Sequence, residues 1–261
     1  MNRKKKNLIK KIVRVVIQIA FFFVAPGLFQ SGFAAIRHIT NSVSTGTSIE
    51  ISVFFIQLAA LTVSVILIGR LFCGYACSFG FLGDIVYGAS RFVQKKLRKK
   101  VYTPSIKLRR SLLYIKYAVL IGIVLLVYFG LYQHVEKLDP WEGFANLRAL
   151  NFSFSTYPYS LAVFGLILVL MAVFERGFCI FLCPLGAYFA LLPTLPFLNL
   201  KKQESKCIKG CNLCERKCPA SIDLNNEFES GQECIKCFEC TKGCPATNIH
   251  FSINFDQKNN L

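Results

Sequence analysis

Eight cysteines near the C-terminus stand at spacings suited to holding iron–sulfur clusters. They form two runs, Cys207-x3-Cys211-x2-Cys214-x3-Cys218-Pro219 and Cys234-x2-Cys237-x2-Cys240-x3-Cys244-Pro245. The second matches the bacterial 4Fe-4S run C-x2-C-x2-C-x3-C-P, and the first differs only by one extra residue in its opening gap. Two-residue gaps let three thiolates of one tight loop reach three corners of a cubane, while the fourth cysteine, before a turning proline, ligates the other cluster. The expected ligand sets are therefore crossed: Cys207, Cys211, Cys214 and Cys244 around one 4Fe-4S cluster, and Cys234, Cys237, Cys240 and Cys218 around a second. Structural zinc is the competing chemistry, but it favours two C-x-x-C knuckles separated by a longer loop. A disulfide framework belongs to an oxidising compartment, which the topology below argues against.

The other four cysteines lie in an internal repeat. One copy reads Arg70-Leu71-Phe72-Cys73-Gly74-Tyr75-Ala76-Cys77-Ser78-Phe79-Gly80, the other Arg176-Gly177-Phe178-Cys179-Ile180-Phe181-Leu182-Cys183-Pro184-Leu185-Gly186. Both spell R-x-F-C-x3-C-x-[FL]-G, so two matching halves are implied. If the element is helical, residues four apart share a face and each pair forms a two-thiol clamp. Halves packed about an axis along the membrane normal would bring the two pairs face to face. Cys73, Cys77, Cys179 and Cys183 can then hold a metal or a third iron–sulfur centre, or act as redox-active thiols tuned by Arg70 and Arg176.

Four long apolar stretches, at about residues 13–36, 50–72, 111–132 and 158–178, approach the roughly 20 residues that cross a bilayer. The basic leader before the first stretch resembles a signal peptide, but the apolar part is long and lacks a small-residue cleavage pattern, so an uncleaved anchor is expected. Basic residues cluster before the first stretch and between the second and third, from Arg91 to Arg110, while the segments 37–50 and 132–157 carry few. The positive-inside rule then puts both termini and the middle loop in the cytoplasm. The same distribution accounts for the net charge of +17 through topology and anionic lipid, so no nucleic-acid partner is expected. The fold class is mainly α: a four-helix transmembrane bundle of two parallel two-span repeats over residues 1–200, followed by a small α+β bacterial two-cluster ferredoxin-like domain over 201–261. The location is the cytoplasmic membrane, multi-pass.

In the order of these features the chain resembles the NapH/NosR-like membrane polyferredoxins, most closely the short NapH-type quinol dehydrogenase component. The resemblance rests on the four apolar stretches, the pairs Cys73/Cys77 and Cys179/Cys183, and the runs Cys207–Cys218 and Cys234–Cys244, and covers nearly the whole chain. The chain departs from the family pattern at Ser78, where the first element usually has proline, and at the extra residue after Cys207. The resemblance implies a membrane-bound electron-transfer protein that relays electrons between the quinol pool and a partner redox protein or reductase. A reading from a different class is a copper-reducing or assembly factor, or a thiol-redox protein, working through the Cys-x3-Cys pairs, since soft thiolates select Cu(I).

No Gly-rich phosphate loop or dinucleotide fingerprint is present, so nicotinamide or ATP chemistry within the chain is not expected. His38, His134, Glu136 and Asp139 fall in or near the outward loops, where they would be solvated groups, proton acceptors for a quinol, or, for the histidines, haem ligands. Trp141, Tyr157 and Tyr159 read as interfacial anchors.

Overall fold

The computed structural model describes residues 3–25, 27–47, 53–98, 104–148, 158–193, 199–202, 207–208, 210–222, 231–246 and 249–252. The chain opens with α1 (Arg3–Val24) and α2 (Leu28–Thr45), followed by α3 (Val53–Ile68), the short α4 (Leu71–Tyr75) and α5 (Ser78–Lys96). Next come α6 (Ile106–Leu112), α7 (Ile115–Tyr128), α8 (Tyr132–Val135), a 3-10 turn at Glu136–Leu138 and α9 (Pro140–Arg148). The second half continues with α10 (Pro158–Val173), a π-helical turn at Phe178–Leu182 and α11 (Pro184–Leu191). The tail holds β1 (Asn199–Lys202), α12 (Leu213–Lys217), α13 (Glu239–Gly243) and β2 (Ile249–Ser252). β1 and β2 pair antiparallel, Asn199 opposite Ser252 and Lys202 opposite Ile249, and so tie together the two ends of the cysteine-rich segment.

Helices α3 and α10 are apolar on every side, the pattern of a helix surrounded by protein or lipid rather than water. Each buries one stripe at helical spacing, Leu58-Leu61-Val65 on α3 and Ser160-Phe164-Ile167-Met171 on α10. Their other faces leave Val63, Leu67, Leu166 and Val169 exposed, as α7 does with Ile121 and Leu125. Around this framework α10 packs on α5 and α9, α2 on α3 and α7, α11 on α7, and α1 on α5. Phe79 sits at the centre, its ring 4.5–6.4 Å from those of Phe29, Trp141, Phe144, Phe164 and Phe178, within the range of favourable aromatic pairing.

The expected spans are only partly met. Among the described residues one helical stretch, Ile106–Tyr128, is long and apolar enough by itself to cross a membrane. The stretch 13–36 is not one helix: it is divided between α1 and α2, which bend by 60° where the sequence reads Ala25-Pro26-Gly27. Proline removes a helical donor and its ring collides with the preceding turn, so a break there has a local cause. At 16 residues each, α3 and α10 rise about 24 Å, short of a hydrocarbon core of about 30 Å. Trp141 is not an interfacial anchor: it is 4 % exposed and packs against Phe29, Phe79 and Phe178, because α9 folds back into the bundle. Tyr159 is exposed, and Tyr157 lies outside the described residues.

Candidate iron–sulfur relay site

The second cysteines of the two C-x3-C elements adopt matching conformations, and neither pair lies on the single helical face the spacing suggests. Cys73 lies in α4, and Cys77 is the extended N-cap residue of α5 at φ −70°, ψ 119°. Cys179 lies in the π-helical turn, and Cys183 is the extended N-cap of α11 at φ −68°, ψ 114°. Each pair therefore straddles a helix break. Pro184 opens α11 at a position that tolerates a missing N–H, and Ser78 takes the same place in α5, so the serine departure leaves the first pair oriented like the second. The Cys183 thiol caps its helix, accepting from Gly186 N at 3.0 Å. The motif's terminal glycine also has a physical role: a Cβ at Gly80 would lie 3.2 Å from the Cys73 carbonyl oxygen, and one at Gly186 3.0 Å from that of Cys179.

All four thiols are buried and free, and they share one core. Cys179 lies within electrostatic range of Cys77 from the other half, and Cys73 of Cys183. Each half's arginine is fully enclosed. Arg176 donates to the Cys73 and Gly74 carbonyls at 2.5 and 2.8 Å and to the Asp84 carboxylate at 2.9 and 2.7 Å. Burial disfavours the charged Asp84, but Arg176, Arg14 and Gln18 hold its carboxyl down at about 2. Arg70 finds its carboxylate in the tail: it donates to Glu233 at 3.1 Å, and Lys116 and Tyr117 donate to the same group.

The tail's cysteines come close both within and between the two runs, Cys240 lying in electrostatic range of Cys214 as well as of Cys234. Cys218 lies in electrostatic range of Cys234, Cys237 and Cys240, and Cys214 in range of Cys244. Cys207 and Cys211 are half-exposed at the outer edge. In the loop carrying Cys234, Cys237 and Cys240, Lys236 and Phe238 hold left-handed backbone at φ 51° and 61°. Alternating right- and left-handed residues turn successive N–H groups inward and make the concavities common at iron–sulfur sites. Burial pushes the Cys218 thiol up to about 11, and burial with Cys234 and Cys218 nearby pushes Cys240 up to about 12. Such a crowd of thiolates needs a strong local cation, which cluster iron supplies when bound, so the donor set fits the group. Among the described residues no three Cys, His, Asp or Glu side chains converge closely enough for a single metal ion.

Several tail–bundle contacts escape sequence reasoning. Lys236 donates to the Ile68 carbonyl at 2.7 Å, Arg109 to the Cys218 carbonyl at 3.0 Å, Arg110 to Glu215 at 2.8 Å and Arg14 to Glu239 at 3.2 Å. A Cβ at Gly74 would collide with the Ile235 carbonyl oxygen, so the loop between Cys234 and Cys237 rests directly on the turn between Cys73 and Cys77. Of the residues missed, Lys116 carried a signal, being an ionisable group inside an apolar stretch. Glu233 and Asp84 carried none beyond being acidic. His38 and His134 are exposed, and the His250 side chain lies outside the described residues.

A family described as "4Fe-4S binding domain" matches residues 50–100 and 156–196, the segments that carry Cys73/Cys77 and Cys179/Cys183. An uncharacterized protein of Methanocaldococcus jannaschii is 33% identical over 251 residues, covering 94% of this chain and 89% of that protein. The ferredoxin-type protein NapH of Haemophilus influenzae is 24% identical over 235 residues, covering 85% and 72%. The regulatory protein NosR of Stutzerimonas stutzeri is 30% identical over 193 residues, 72% of this chain but 25% of its own length. No solved structure matches. The chain belongs to the NapH/NosR-like polyferredoxin family and contains a 4Fe-4S binding domain.

Proposed function

We propose that this chain is a multi-pass membrane electron-transfer subunit that relays electrons between the quinol pool and a partner redox protein. The observation that carries the reading is the junction between bundle and tail. Ile235 rests against Gly74, and Cys237 shares one buried core with Cys73, Cys77, Cys179 and Cys183. Thiols thus run without a solvent gap from the middle of the bundle into the tail.

In this reading Cys207, Cys211, Cys214 and Cys244 hold one 4Fe-4S cluster, and Cys234, Cys237, Cys240 and Cys218 the other. The four bundle thiols are a third redox site. Residues 1–200 form the membrane domain and 201–261 a cytoplasmic ferredoxin-like domain, although β1 crosses that boundary at Asn199. The outward apolar faces of α3, α7 and α10 favour a lipid surround, since a water-soluble protein rarely exposes apolar patches of that extent. The matching caps at Cys77 and Cys183 favour two parallel repeats, and the clustered basic residues favour cytoplasmic termini.

Anaerobic purification, iron and sulfide analysis, and EPR before and after a reduced menaquinone analogue test the proposal. About eight irons, with cluster signals that grow on quinol addition, are expected. Intact clusters that ignore quinol would overturn the quinol link, and zinc without sulfide would overturn electron transfer altogether. One observation favours a second reading, the closeness of Cys77 and Cys179, one thiol from each half in the same buried core, which suits a thiol couple or a Cu(I) site joining the two halves. Retention of stoichiometric copper by wild type but not by Cys77→Ser would favour it.

A further inference from the structure

We infer that the apolar cavity between α2, α7, α9 and α10 binds the head group of a lipophilic quinol, with the Asp139 carboxylate accepting its protons; this rests on the relay reading above. The cavity measures about 310 Å³ and is walled by Phe33, Ile123, Leu126 and Ile167. Ligand pockets begin at about that size, room for one aromatic head group, with an isoprenoid tail leaving between helices toward lipid. One side is closed by Phe178, Leu182 and Pro184, which belong to the turn that carries Cys179 and Cys183. A ring held there lies beside the bundle thiols.

The polar end separates a quinol from an acyl chain. Tyr132 and Asp139 are the hydrogen-bonding side chains there, apart from the Trp141 indole, in an otherwise apolar lining. The Asp139 carboxylate is aimed by Trp141 N, which donates to Oδ1 at 3.1 Å, and its main chain is pinned by Ser160, which donates to the Asp139 carbonyl at 2.8 Å. Tyr132 also lines a second cavity, about 350 Å³, with Arg37, His38 and Glu136 around it. The Arg37 guanidinium lies over both the Tyr132 and Phe33 rings, 4.8 and 5.3 Å from their centroids, at the junction of the two spaces. An apolar slot with a carboxylate at its polar end, sharing Tyr132 with a second space lined by a histidine and a glutamate, suits a ligand that must shed protons. An acyl chain has none to shed.

The reaction balances as quinol giving quinone, two protons and two electrons. Each O–H bond breaks with its proton passing to Asp139 and on to the chamber of His38 and Glu136, and the carboxylate is restored between transfers. The electrons leave singly to the oxidised thiolate-held centres of the relay, which are the oxidant.

Trp141 is the single tryptophan of the chain and lines the cavity, so it reports occupancy directly. Menadione titrated into the full-length protein should quench its fluorescence saturably, and Ile123→Phe, which fills the slot, should abolish the saturable phase. With menadiol as donor, Ile123→Phe should reduce its clusters at least ten-fold more slowly than wild type. Asp139→Asn should retain quenching yet slow reduction about 100-fold, the usual effect of removing a general base. Dithionite, which needs no quinol site, should reduce all three proteins alike and shows that the variants are folded and loaded. If menadiol reduces the clusters but Trp141 is not quenched, or Ile123→Phe is reduced as fast as wild type, the cavity is not the site and the relay reading stands. Saturable quenching lost in Ile123→Phe, in a protein whose clusters never respond to menadiol, would support the pocket as a quinone site and remove the relay.

Discussion

Arg176 and Asp84 form a two-point ion pair, Nε to Oδ1 at 2.9 Å and Nη2 to Oδ2 at 2.7 Å, that joins the second half of the bundle to the first. Arg70, its counterpart in the repeat, has no such partner among the described residues of the bundle and takes Glu233 from the tail. Ala190 stands in α11 where α5 has Asp84, counted from the matching cysteines. The repeat is therefore asymmetric at one charge, and the tail supplies the missing carboxylate just before Cys234.

Glu233→Gln should loosen the tail. It leaves Arg70 and Lys116, respectively 1 % and 0 % exposed, without a counter-charge, and breaking such a pair costs about 3–5 kcal/mol. Faster protease cleavage near the tail at native temperature checks it; a cleavage rate equal to wild type would mean the latch lies elsewhere.

Asp84→Asn should destabilise the bundle on a similar scale, since Arg14 and Gln18 also converge on this carboxylate, at 2.6 and 2.9 Å. The folded carboxyl sits at about 2, below its ordinary 3.8, so its contribution is full above pH 4 and disappears as pH falls toward 2. Melting temperatures of iron-free wild type and Asp84→Asn should differ at pH 7 and converge near pH 2.

Gly74→Val should separate tail from bundle without removing a ligand, because its side chain would occupy the place of the Ile235 carbonyl. Iron content should stay at the wild-type level while quinol-driven reduction slows at least ten-fold. Gly88→Ala on α5 is the control: nothing lies within 4 Å of its Cβ, and it should stabilise the helix by about 0.5–1 kcal/mol.

The proposed crossed ligation makes Cys218 and Cys244 diagnostic. Cys218→Ser should disturb the EPR signal of the cluster held by the second run, and Cys244→Ser that of the first, each lowering iron toward about four. A substitution that erased only its own run's signal would show uncrossed sites.

Much of the chemistry was legible because it is written in local spacing. Three thiols from one loop, a fourth before proline, and a motif that recurs with its arginine and glycine all lie within short windows, and local windows are what a sequence displays. Less legible were the helices themselves. The apolar stretch 13–36 hides a break at Ala25-Pro26-Gly27 because hydropathy does not register a bend, and the C-x3-C spacing looks helical although each second cysteine is an N-cap.

The sequence alone determined which thiols stand at ligand spacing and that the motif R-x-F-C-x3-C-x-[FL]-G occurs twice, since these follow from residue type and short-range spacing. Only the tertiary structure decided that Glu233 answers Arg70, that Trp141 turns inward to wall a cavity, and that Ile235 rests on Gly74. Those pairings join residues far apart in the chain and depend on shape and on the need to neutralise buried charge. No local pattern encodes either, so they exist only once the bundle and tail have packed.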